Sequence, residues 1–201
     1  MPNGLHITLQ DIQQAHRIFL QNEPRDLFYR TAIYLIDLSI NQNGSLSISE
    51  AISVLLQTWN KSFYRFRKFD INHFDNIEEL IREKSVEVLN FRNRQISSLS
   101  TLDNDAVIKI FDPFENILGP VGSAKSLHLL APHFFPIWDR TIAIAYDLPL
   151  TIVGTNSQKY ISFMYMQKEQ CDNLPNELPD NISKLKAIDE YNYCHYSKGW
   201  L

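Results

Sequence analysis

The chain has 201 residues, 44% hydrophobic and 21% charged, with a formal net charge of −4. That balance belongs to an ordinary folded chain of one domain and excludes a disordered or collagen-like one. No apolar run reaches the roughly 18 residues of a membrane helix, so no membrane partner is expected. Met1-Pro2-Asn3-Gly4 lacks the basic and apolar regions of a signal peptide. Cys171 and Cys194 are the only cysteines, too few for a disulfide scaffold, a cysteine zinc site or an iron–sulfur cluster. A reducing cytoplasm is the expected compartment.

Apolar residues recur every three or four positions along most of the sequence, and alternating β-branched runs are few, so an all-α fold is predicted. Thr8 and Asp11 form a capping box before Ile12, Ala15, Ile18 and Phe19. A second helix runs from about Asp26 to Leu38, with Leu27, Ala32, Ile33, Leu35 and Ile36 as core candidates. Ser47 and Glu50 cap a third, before Ala51, Val54, Leu55 and Trp59. Further helices are expected near Ile77 to Phe91, from an Asp103 cap through Val107 and Ile110, and from about Ser123 to Leu130. Three more follow, from Asp139 to Tyr146, near Gln158 to Glu169, and near Asn181 to Tyr193 after a loop marked by Pro175 and Pro179.

Two local patterns need weighing. Ser39 to Glu50 has the oxygen spacing of a calcium loop, with Gly44 at its sixth position. Glu50 is its only carboxylate, too little negative charge for the ion, so a polar turn with Gly44 at positive φ and Ser47 as a cap is expected. Basic residues cluster at Lys61, Arg65, Arg67 and Lys68 among Phe63, Tyr64, Phe66 and Phe69. A solvated helix end over packed aromatics is the plain reading, and a nucleic-acid contact the functional one. The six histidines show no metal-site spacing, and no metal or cofactor is expected.

The stretch from Ile117 to Ile142 carries the chemistry. It holds Leu118-Gly119-Pro120-Val121-Gly122-Ser123, then Lys125 and His128, then Pro136-Ile137-Trp138-Asp139-Arg140-Thr141. Glycines let a backbone turn sharply and approach a partner closely. The amides of Val121, Gly122 and Ser123 are expected to point outward at a helix N-terminus, which favours phosphate. Asp139 is placed as the N-cap of the next helix.

This stretch resembles the helix-hairpin-helix DNA glycosylases, the superfamily of 8-oxoguanine glycosylase and endonuclease III. In that family a Leu-Pro-Gly-Val-Gly hairpin grips the DNA backbone. A lysine just beyond it forms a Schiff base in the bifunctional members, and an aspartate opening a later helix is catalytic. By resemblance Gly119, Val121, Gly122 and Ser123 are the DNA-binding hairpin, Lys125 the lyase lysine and Asp139 the catalytic aspartate. Three features depart from the pattern. Gly119-Pro120 reverses the usual order, Lys125 follows Gly122 by three residues rather than two, a rotation of about 100° on a helix, and the interval to Asp139 is somewhat shorter than usual.

The resemblance implies a helical bundle, of one lobe or of two around a cleft. The implied activity is DNA base excision, with double-stranded DNA carrying a damaged or modified base as the partner. Ionised Asp139 would stabilise the cationic sugar, and Lys125 must be neutral to attack C1′, its pKa lowered by burial and a cationic neighbour such as Arg140 against the raising effect of a close Asp139. His128, one turn beyond Lys125, and Trp138 are base-pocket candidates, and Phe134 and Phe135 could stack on a base or wedge the gap. The alternatives are a helix-hairpin-helix module that binds DNA without chemistry, and a helical interaction protein whose turn only joins two helices.

Overall fold

The amphipathic patterns fold as helices in a computed structural model, which describes residues 7–41 and 46–201. Among these residues there is no strand. The helices, in chain order, are α1 (Leu9–Asn22), α2 (Asp26–Asn41), α3 (Ile48–Trp59), α4 (Lys61–Tyr64) and α5 (Ile71–Leu89). Next come α6 (Asn104–Leu130), α7 (Arg140–Ala145), α8 (Ser157–Asp172) and α9 (Lys184–Asn192), and a π turn at Tyr193–Lys198. No helix is long and apolar enough to cross a membrane.

Local chemistry sets the starts. Thr8 with Asp11 and Ser47 with Glu50 form reciprocal capping boxes at α1 and α3. Asp70, Asp139 and Ser183 each accept the N–H three residues on, opening α5, α7 and α9. Ser39 donates its hydroxyl to the Leu35 carbonyl at 2.7 Å, and Glu50 serves its capping box, so the ends of the calcium-like loop are occupied locally. The expectation for Gly44 lies outside the described residues.

The largest correction concerns α6. The sequence suggests a short helix ending near Ile110 and a separate one from Ser123. The chain stays helical from Asn104 to Leu118, breaks at Gly119 (φ 70°, ψ 168°) and is helical again from Pro120 to Leu130, so the two expected helices are both longer and almost abut. Pro120 opens the second segment, where its missing N–H and fixed φ suit a helix start. Leu27 and Val54, expected in the core, face solvent, because α2 and α3 bury the stripes carrying Ala32 and Ile36, and Ala51, Ile52 and Leu55.

α2 packs on α3, α1 on α9, α5 on α6, and α6 on α8. One buried apolar cluster joins them. Its densest part is aromatic: Trp138 lies edge-on to Phe111 and Tyr160, and Phe134 and Phe135 pack on Phe91. This mass holds the break in α6 and the start of α7 in fixed relation.

Candidate functional site

The bend at Gly119 lies where glycine alone is comfortable. A Cβ on Gly119 would meet the Phe63 ring at 3.1 Å, and one on Gly122 would meet Asn60 Nδ2 at 2.9 Å. Both glycines are buried, so they let the junction of α3 and α4 close onto α6. Ser123 is also buried and donates its hydroxyl to the Gly119 carbonyl at 2.7 Å. Where the amides of Val121, Gly122 and Ser123 are expected to point outward at an open helix start, Gly122 and Ser123 are instead buried. Val121 and Pro120 remain half-buried.

The bend leads into a cavity of about 670 Å³, within the usual size of a small-molecule pocket. Gly119, Val121, Gly122, Lys125 and Asp139 all line it. Lys125 thus reaches the cleft despite its offset of one residue, because the helix restarts at Pro120.

The Lys125 ammonium donates to the Trp59 carbonyl and lies 5.9 Å from the Trp59 ring. Burial lowers its pKa to about 8 against the raising pull of Asp139 and Asp189, with Arg25 adding to the lowering. The cation acting on Lys125 is therefore Arg25, where the sequence suggested Arg140. About a tenth of the amines are then neutral at pH 7. Asp139 keeps the capping role, its Oδ1 accepting the Ile142 N–H at 2.8 Å. Its Oδ2 accepts the Ser197 hydroxyl at 2.8 Å, which ties the π turn to the cleft.

The two base-pocket candidates lie in the core. His128 is fully buried, with Nδ1 2.8 Å from the Phe135 carbonyl and Nε2 2.8 Å from the Tyr29 hydroxyl. Nδ1 must carry the proton to pair with a carbonyl, so Nε2 accepts from Tyr29. Burial pushes the His128 pKa down to about 3. Trp138 is also fully buried, donating its indole N–H to the Pro120 carbonyl at 3.0 Å. Neither ring lines the cavity, because the aromatic core claims both. Phe134 and Phe135 are likewise core residues.

Other cleft residues were not apparent in the sequence. Asp189 of α9 lines the cavity and lies 3.8 Å from the buried Lys186 ammonium. Lys186 also pairs with Asp26 at 3.2 Å and Glu190 at 3.3 Å, and sits over the Phe19 and Tyr29 rings. Glu23, Arg25 and Tyr193 form a hydrogen-bonded cluster on the wall. Against burial, which raises it, bonds from Arg25 and Tyr193 hold Glu23 at about 2. Only tertiary packing brings these residues to α6, so their sequence spacing carries no signal.

Lys61 to Lys68 runs along the edge of this cavity, with Ser62, Phe63 and Phe66 in its lining. Phe66 is 85% exposed, with the Arg65 guanidinium 5.8 Å from its ring, while Arg67 covers Phe63 at 4.8 Å. Lys61, Arg65, Arg67 and Lys68 are exposed, and none forms an ion pair among the described residues. Comparison with family models, with curated proteins and with solved structures found no match.

Proposed function

We propose that the protein is a DNA base-excision glycosylase whose Lys125 forms an imine with the sugar and whose Asp139 stabilises the developing cation. The observation that carries this reading is that Lys125 and Asp139, on separate helices, meet in one cavity where burial has made the lysine a weak base.

A neutral Lys125 amine has a lone pair for C1′ of a flipped nucleotide. The C1′–N bond breaks with its electrons on the base, and positive charge spreads over C1′ and the ring oxygen. Asp139, held by Ile142 and Ser197, offers a fixed negative charge to that cation. Ring opening gives the imine, which permits β-elimination of the 3′ phosphate. With Lys125 protonated, water completes base removal and leaves an abasic site. The basic, aromatic edge from Lys61 to Lys68 suits a bent duplex, its cations facing phosphates and Phe66 free to enter a base step.

Borohydride trapping on duplexes carrying a panel of damaged or modified bases tests the reading. A covalent adduct in the wild type, absent from Lys125→Gln, is expected. Asp139→Asn should slow base release by about 10²-fold or more. Base release without trapping would leave Asp139 and water as the chemistry. Salt-sensitive binding without base release would favour a non-catalytic DNA-binding module. Absence of activity and binding across the panel would leave a helical interaction protein.

A further inference from the structure

The cavity holds two aspartates in contrasting surroundings. Asp139 accepts hydrogen bonds on both oxygens, from Ile142 and Ser197. The Asp189 side chain is 9% exposed and makes no hydrogen bond to any described residue. Its nearest cation, Lys186 at 3.8 Å, lies closer to two other acids, Asp26 and Glu190. A carboxylate so desolvated and so little compensated is costly, whereas a carboxylic acid there is a donor without an acceptor.

We propose that Asp189 is the general acid that protonates the departing base, an assignment that rests on the glycosylase reading of the same cavity. Two carboxyl groups of one site take opposite roles when their environments separate their proton affinities. Burial raises the Asp189 pKa to about 7. Lys186 and Lys125 pull it down, and Glu190 and Asp139 push it further up.

The proton balance closes. As the C1′–N bond breaks, its electron pair passes to the base, and the Asp189 proton moves to a ring nitrogen or carbonyl oxygen of that base. The base leaves neutral and Asp189 becomes a carboxylate. The neutral Lys125 amine bonds to C1′ and becomes a cationic secondary amine. Its surplus proton passes to solvent, and Asp189 regains a proton from solvent between turnovers, so Asp189 takes no part in the ring opening to the imine.

The role separates two reactions of one active site. Base removal needs the acid, whereas imine formation on a duplex already holding an abasic site has no base to expel. Asp189→Asn is therefore expected to slow base release about 10²-fold or more on the modified duplex the wild type processes best. Borohydride trapping on an abasic-site duplex, made by removing uracil beforehand, should stay within about threefold of wild type. The unmutated protein gives a second test that does not depend on the variant folding. Its base release should fall above about pH 7 as Asp189 loses its proton, while abasic trapping continues to rise towards pH 8 with neutral Lys125. Parallel pH profiles, unchanged base release in Asp189→Asn, or equal loss of both reactions would overturn the assignment. Wild-type protein inactive on every duplex, abasic ones included, would remove the glycosylase reading and this role with it.

Discussion

Trp138 donates its indole N–H to the Pro120 carbonyl at 3.0 Å, joining the residue before Asp139 to the first residue of the α6 segment that carries Lys125. The two chemical groups thus share one rigid connection through the aromatic core. Trp138→Phe keeps most of the ring packing and leaves that carbonyl without its donor. A loss of about 1–3 kcal/mol is expected in chemical denaturation. Imine trapping should slow in single-turnover measurements while DNA affinity holds, because the change misplaces Lys125 relative to Asp139. An unchanged trapping rate would show that the bond supports the fold alone.

The two glycines of the bend should respond differently to repair of their contacts. Gly122→Ala sets a Cβ 2.9 Å from Asn60 Nδ2 and is expected to cost about 1–3 kcal/mol by overpacking. Asn60→Ala vacates that space, so the double variant should recover part of the loss. Gly119→Ala meets the Phe63 ring, but its backbone at φ 70° is itself strained for an L residue, at about 1–3 kcal/mol. Phe63→Leu should therefore leave most of that cost in place. A double-mutant cycle by thermal or urea unfolding separates the cases. Full rescue at Gly119 would contradict the backbone account.

This division marks how far the sequence could be read. Periodicity and caps are local, so Thr8, Ser47 and Asp139 announce their helices without tertiary information. That Gly119 lies against the Phe63 ring, 56 residues earlier, is a tertiary contact that no local pattern records. His128 and Trp138 carry functional chemistry in isolation, but each already has buried partners. Asp189 lies on an ordinary amphipathic helix and gains its character only from Lys186, Glu190 and the cleft.

The edge of the cavity yields a salt-dependent prediction. Arg65, Arg67 and Lys68 are exposed, and if each neutralises one phosphate, the triple change to Ala should flatten the slope of log K against log salt by about 0.9 per contact, nearly three in total. Phe66→Ala should leave that slope unchanged and lower base release, because an apolar wedge supports flipping rather than phosphate contact. Fluorescence anisotropy across a salt series, with single-turnover kinetics, reads both. An unchanged slope in the triple variant would place DNA on another face.

His128 and Asp189 should oppose one another in the acid dependence of stability. Burial holds folded His128 near 3 against an ordinary 6.5, so between these values the unfolded chain binds more protons. Its contribution is complete above about pH 6.5 and is lost as pH falls. Folded Asp189 titrates near 7 against an ordinary 3.8, so there the folded chain binds more protons and stability grows as pH falls. Each slope approaches about 1.4 kcal/mol per pH unit, with opposite signs, between roughly pH 4 and 6.5. His128→Gln should therefore gain stability relative to wild type on acidification through this window, and Asp189→Asn should lose it. Urea midpoints at half-unit steps of pH, taken as variant minus wild type, cancel the other titrating groups. Slopes of the same sign for the two variants would mean that one of these side chains does not hold the protonation its surroundings impose.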